Sequence, residues 1–250
     1  MLASETEVDL RSLTPCLFLS SMALCACTAT HRTRTVGKAH GAVDLSLGGP
    51  MTTALGPPIP MPVVFLGGRY GIRDDLDVSL HYNLTAPAVP SIPLHLETAV
   101  HYAPIQPGLG EQAADQGWSV VLDGTVVWMS DFETGTLIFP AIGVTGAYRY
   151  RFVAPYLGLT GAGNFYRPFE RKSGLTLVPH AGLEFMAGEH FGLTLEAAFM
   201  EAGHNLYGSG LDWVYLSQNA DKKKEKAVLM PMIGFSWDFD TRPAIAGGDQ

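Results

Sequence analysis

His81, His95, Glu97 and His101 carry the imidazole and carboxylate donors from which zinc or copper sites are built. Residues 95, 97 and 101 share a parity, so on an extended strand they share one face, with His81 on a neighbouring strand. Metal ligands must converge within about 2 Å of one ion. At about 3.3 Å per residue, positions 95 and 101 lie about 20 Å apart. Only His81, His95 and Glu97 can therefore meet, and neither a metal nor another cofactor is expected. Nucleophilic chemistry has one candidate set, His204, Ser209 and Asp212 in the polar stretch 204–226. A serine nucleophile needs a histidine within hydrogen-bond reach, and nothing in this spacing fixes one there. No catalytic residue is assigned, and the chain is read as non-enzymatic.

The histidines and acids belong to a wider polar set whose placement depends on strands. In Leu76-Asp-Val-Ser-Leu-His-Tyr-Asn83, Leu76, Val78, Leu80 and Tyr82 take one face and Asp77, Ser79, His81 and Asn83 the other. Trp118 to Met129 and Leu175 to Ala187 repeat the pattern. Ten such segments follow one another: 42–48, 62–72, 76–84, 94–103, 118–129, 137–150, 152–165, 174–187, 191–203 and 227–239. Their polar faces collect a network of Arg69, His81, His95, Glu97, Arg149, His180, Glu184 and Glu196. Asp77, His101, Asp123 and Asn164 join it. Buried charges must be paired or hydrogen-bonded, so opposite signs sharing one interior are expected on stability grounds alone.

Composition agrees with a single β-rich unit, with 28 Gly, 17 Pro and 16% charged residues in 250. A net charge of -8 excludes a nucleic-acid-binding role, which needs excess Lys and Arg. The three cysteines, Cys16, Cys25 and Cys27, all lie in or beside the apolar run Leu13 to Ala26. That run reads as a signal-peptide core and is too short for a membrane-spanning helix.

The last strand, Met230-Pro-Met-Ile-Gly-Phe-Ser-Trp-Asp-Phe239, resembles the closing strand of bacterial outer-membrane β-barrels. Gly234, Trp237 and Phe239 match the glycine and two aromatic positions of their assembly signal. The resemblance implies recognition by the barrel-assembly machinery and an outer-membrane location. Met232 in a usually polar slot, and the residues after Phe239, depart from that pattern. Leu24-Cys25-Ala26-Cys27 is similar to a lipoprotein lipobox, which implies acylation of Cys27.

Connections and aromatics fit this resemblance. Stretches 49–61, 85–93, 130–136, 166–173 and 204–226 are long. Of the alternate ones, 73–75, 151 and 188–190 are tight, and 104–117 is the exception. Tyr70, Tyr102, Trp118, Tyr148, Tyr150, Phe191, Trp237 and Phe239 fall at the tight-turn ends, with Tyr82, Trp128, Phe165 and Phe199 toward the others, as interfacial girdles would. The expected fold is an all-β, antiparallel up-and-down transmembrane barrel of about ten strands, eight being the smaller alternative. The expected divisions are a signal peptide over 1–26, a polar tether over 27–41, the barrel over 42–239 and a tail over 240–250. Outer-membrane lipids and lipopolysaccharide are the expected partners, with Lys222, Lys223, Lys224 and Lys226 in position to meet phosphates. No small-molecule ligand is identified. Two other readings stay open: a soluble or lipid-tethered lipocalin-like binder, which would turn Tyr82, Trp118 and Trp128 inward, and an outer-membrane lipid or ester hydrolase.

Overall fold

The computed structural model describes residues 29–52, 58–60, 62–88, 94–107, 116–130, 136–164, 174–188, 190–200, 215–217 and 226–241. Ten long strands dominate them: β1 (His40–Gly48), β2 (Val63–Arg73), β3 (Leu76–Asn83), β4 (Leu94–Ile105), β5 (Gln116–Ser130), β6 (Thr136–Tyr150), β7 (Val153–Asn164), β8 (Gly174–Ala187), β9 (Phe191–Met200) and β10 (Lys226–Asp240). Every strand pairs with the next in sequence, and β10 pairs back with β1. That closing ladder runs antiparallel from His40 opposite Asp240 to Gly48 opposite Met232. The sheet is thus a sealed cylinder, which removes the unpaired edges that hydrocarbon does not tolerate. All ten expected segments are present, most with ends within two residues of their expected positions.

Alternation decides which side chains look outward. Trp118 is 68% exposed, Ile142 77% and Leu157 71%, and Leu66, Leu80, Val100, Leu183, Leu195 and Ile233 continue the same surface around the cylinder. Water-soluble monomers rarely show contiguous apolar patches beyond a few hundred Å². A belt that circles the molecule is the surface of a barrel dissolved in lipid. Trp128 is also outward, and its indole N–H donates to the Thr98 hydroxyl at 3.2 Å, so its one polar atom is satisfied without water. The lipocalin-like reading is therefore corrected: Trp118 and Trp128 lie outside the cylinder, and Tyr82 sits on the outward parity of β3.

Between β6 and β7 the chain reverses at Arg151, which adopts a left-handed φ of 54°. Gly188, at φ 69°, opens the turn between β8 and β9. The long-loop end carries a short ladder of Met51–Thr52 with Ile59–Pro60, and Tyr215–Ser217 runs beside β10.

The stretch read as a tether is placed differently from expectation. Ala29, Thr30, Arg32, Thr33, Thr35 and Val36 are all buried, inside the cylinder. Chain direction reverses at Gly37 and Ala39, whose φ values are 90° and 58°. Hydrogen bonds from Ala39 N–H to the Gly71 carbonyl and from His40 N–H to the Gly37 carbonyl hold this corner, and β1 starts there.

The lumen as candidate functional site

Inward positions of the strands supply a polar wall, and residues 29–36 lie against it. The segment's backbone N–H groups donate to wall side chains. Ala29 donates to Glu97 at 3.2 Å, Thr30 to the Ser46 hydroxyl at 3.2 Å, His31 to Glu196 at 2.9 Å and Val36 to Asp77 at 3.0 Å. A chain without a ladder must find such partners, because an unpaired buried N–H costs about as much as a lost hydrogen bond.

Side chains complete the match. Arg32 donates from Nη2 to Asp44 Oδ1 at 2.6 Å and from Nη1 to the Thr194 hydroxyl at 3.4 Å. The His31 ring meets Glu196 at 3.0 Å and Thr160 at 3.2 Å, and stacks on His180 with centroids 3.4 Å apart. Thr33 donates to Glu184, and Arg34 pairs with Asp238 at 3.3 Å. Near the tight-turn end the Thr35 hydroxyl donates to the Asp74 carbonyl at 2.5 Å.

Behind this segment the wall holds itself together. Arg69 donates from Nε to Asp44 Oδ2 at 2.8 Å and from Nη2 to Ser236 at 3.1 Å, and lies 3.7 Å from Asp77. Tyr156 donates to Glu196 at 2.7 Å, and His180 shares a 2.9 Å hydrogen bond with Thr145. His101 bridges Asp123 at 2.5 Å and Ser79 at 3.0 Å.

Of the expected lumen network, Arg69, His81, His95, Glu97, His180, Glu184 and Glu196 are all buried and inward. Arg149 faces inward at intermediate burial and touches the Met186 thioether. Of the three residues that spacing allows to meet, two do: His81 lies 3.6 Å from Glu97. His95 turns instead to Asn83 at 3.1 Å and to the edge of the Phe65 ring. Among the described residues no three His, Cys, Asp or Glu side chains gather as metal ligands. Cys27, Lys222, Lys223 and Lys224, with His204, Ser209 and Asp212, lie outside the described residues, and Lys226 is described only as backbone of β10.

Asp44, Ser46, Thr160, Thr194, Ser236 and Asp238 are wall residues that hold the segment or one another and are missing from the expected network. Their signal was parity alone: Asp44 and Ser46 alternate with the outward Val43, Leu45 and Leu47.

Gly234 has a local reason to lack a side chain. A Cβ there would run into the Thr30 side chain, so the last strand stays open where the segment crosses it. Trp237 and Phe239, 56% and 39% exposed, sit on the outer surface of the same strand.

No family model matches the sequence, and no curated protein matches it. Solved structures to which the chain is similar include outer-membrane proteins. The chain is similar to an outer-membrane channel from Pseudomonas putida F1 at 9% identity and TM-score 0.43, covering 85% of this chain and 100% of that one. It is similar to the amino-terminal β-barrel domain of Pseudomonas aeruginosa OprF at 13% identity and TM-score 0.28, covering 81% and 99%. Similarity to Ail, the attachment invasion locus protein of Yersinia pestis, is 11% at TM-score 0.26, covering 81% and 99%. Both the fold and the functional argument therefore rest on the geometry of the chain itself.

Proposed function

We propose that the protein is a non-enzymatic envelope barrel of the outer membrane, anchoring loops at its far rim while its own amino-terminal stretch occupies the lumen. The single observation that carries this is the inside-out partition of side chains. Leucine, isoleucine, valine and tryptophan ring the outside, and paired charges fill the inside. Such a surface needs lipid or detergent, and such an interior needs no catalytic role to be retained. The test is extraction and electrophoretic mobility. The barrel is expected to leave membranes only with detergent and to run faster unheated than boiled. Recovery as a monodisperse species in plain buffer would refute it.

The same reading assigns roles to residues beyond the wall. Gly234, Trp237 and Phe239 engage the barrel-assembly machinery, and Lys222, Lys223, Lys224 and Lys226 contact lipopolysaccharide phosphates. Changing the four lysines to glutamine is expected to weaken lipopolysaccharide binding, and unchanged binding removes that contact. With the lumen occupied, the chain is expected to pass little current in a planar bilayer.

A further inference from the structure

The wall beneath the amino-terminal segment is acidic beyond its own needs. Asp44, Asp77, Glu97, Asp123, Glu184, Glu196 and Asp238 face the lumen, against Arg69, Arg149 and the imidazoles of His81, His101 and His180 among the described residues. The segment supplies cationic side chains: Arg32 on Asp44, Arg34 on Asp238, and the His31 ring on Glu196. Acceptors remain even so. Among the described residues Asp77 Oδ1 and Asp123 Oδ2 are buried with no hydrogen-bond partner, and Asp77 is 0% exposed. Groups of this kind are costly to bury and favour any cation that reaches them.

The segment is also poorly fastened as secondary structure. From Ala29 to Val36 no residue belongs to a strand, so its departure would break no ladder. Its fixed point is the corner at Gly37 to His40. An eight-stranded barrel is filled by its own side chains. This ten-stranded one also holds a length of chain, so a vacated lumen leaves a passage about as wide as a peptide. Toward the long-loop end Phe65, Met129 and Val228 are buried on the inward face, while Asp44, Asp77, Asp123, Glu184 and Asp238 lie nearer the tight-turn end and Glu97 sits opposite Val127.

We infer that residues 29–36 act as an internal pseudo-ligand, and that the wall around Asp44 and Thr194 is a binding site for solutes carrying a guanidinium group. This rests on the barrel reading and adds a ligand class to it. Arg32 shows how the site reads its ligand: one nitrogen on a carboxylate already oriented by Arg69, the other on a hydroxyl. A planar fork fits that pair, whereas an ammonium is a single point charge.

Calorimetric titration of the refolded full chain with agmatine, a guanidinium-bearing probe, tests the site. Wild-type protein, with the slot filled, is expected to bind weakly. Arg32→Ala empties the slot and is expected to bind agmatine, with 1,5-diaminopentane, a diammonium of equal charge, weaker by about tenfold. Adding Asp44→Asn is expected to cost about tenfold or more in agmatine affinity. A heat-modifiable Arg32→Ala barrel that ignores agmatine overturns the inference while leaving the envelope-barrel reading intact. Loss of the detergent-dependent barrel in the wild-type chain would instead remove both. Where Arg32→Ala yields no barrel, Arg32→Gln, which keeps most of the length but removes the charge from Asp44, takes its place. Agmatine binding tighter than wild type is expected there too, and its absence overturns the inference equally.

Discussion

Asp44 holds two guanidinium groups at once, Arg32 at 2.6 Å and Arg69 at 2.8 Å, one from the lumen segment and one from the wall. The carboxylate is fully buried and both arginine side chains are 5% exposed, so water does little to screen the triad. Removing Asp44 would leave two cations facing each other, whereas removing Arg32 leaves Asp44 still paired. Asp44→Asn is therefore expected to destabilise the barrel by about 3–5 kcal/mol, and Arg32→Gln by less. Urea titrations in lipid vesicles, followed by the mobility of folded and unfolded bands, check the order. Equal losses for the two variants would contradict the shared-carboxylate geometry.

Ile142 lies at the opposite extreme, 77% exposed near the middle of β6 and directed at lipid. A charge there must be buried in hydrocarbon or drag water with it. Ile142→Arg is expected to cost about 2–4 kcal/mol in a bilayer. Tyr150→Arg, at the tight-turn end of the same strand, is expected to cost about 0–1 kcal/mol, because the side chain reaches the interface. Folding equilibria into vesicles of fixed thickness measure both, and a flat profile would mean the outward face does not meet a membrane.

The strands were legible in the sequence because a half-buried strand writes its two environments into alternate letters. Leu80 and His81 could be sorted to opposite faces without coordinates. Residues 29–36 carry no such mark. His31, Arg32, Thr33, Arg34 and Thr35 are polar at every position, as solvated chain would be, and what separates the two states lies far away in Asp44, Glu196 and Asp238. For the same reason Asp44 and Asp238 were missed as partners: parity places a side chain on the inner face but does not say what crosses the lumen to meet it. His95 shows the limit of spacing from the other side. It shares a face with Glu97 beside the strand of His81, as parity implied, yet Asn83 and Phe65 hold its ring, a choice that parity does not reveal.

Glu196 accepts from the His31 N–H, the His31 ring and the Tyr156 hydroxyl, so it ties both the backbone and the side chain of one segment residue to the wall. Glu196→Gln keeps the shape but loses the charge and offers one acceptor oxygen where there were two. The variant is expected to fold with a stability loss of about 1–3 kcal/mol. It is also expected to expose the bond after Arg32 to added trypsin sooner than in wild type. Unchanged cleavage with reduced stability would place the role of Glu196 in the wall alone.

Gly234 has two explanations that experiment can separate. The sorting-signal resemblance makes it a docking position for assembly, whereas the lumen makes it the gap through which Thr30 passes. If steric room is the reason, Gly234→Ala loses stability in the purified chain, and Thr30→Gly in the same chain restores part of it. The coupling expected for touching residues is about 0.5–3 kcal/mol. If assembly is the reason, Gly234→Ala lowers the amount reaching the membrane, and Thr30→Gly does not rescue it. Phe239→Ala supplies the contrast, because its ring sits on the outer surface and covers Gly41, away from Thr30. It is expected to lower outer-membrane abundance with no coupling to Thr30. A double-mutant cycle on purified protein, read beside membrane abundance, assigns each residue its role, and coupling between Phe239 and Thr30 would contradict the separation.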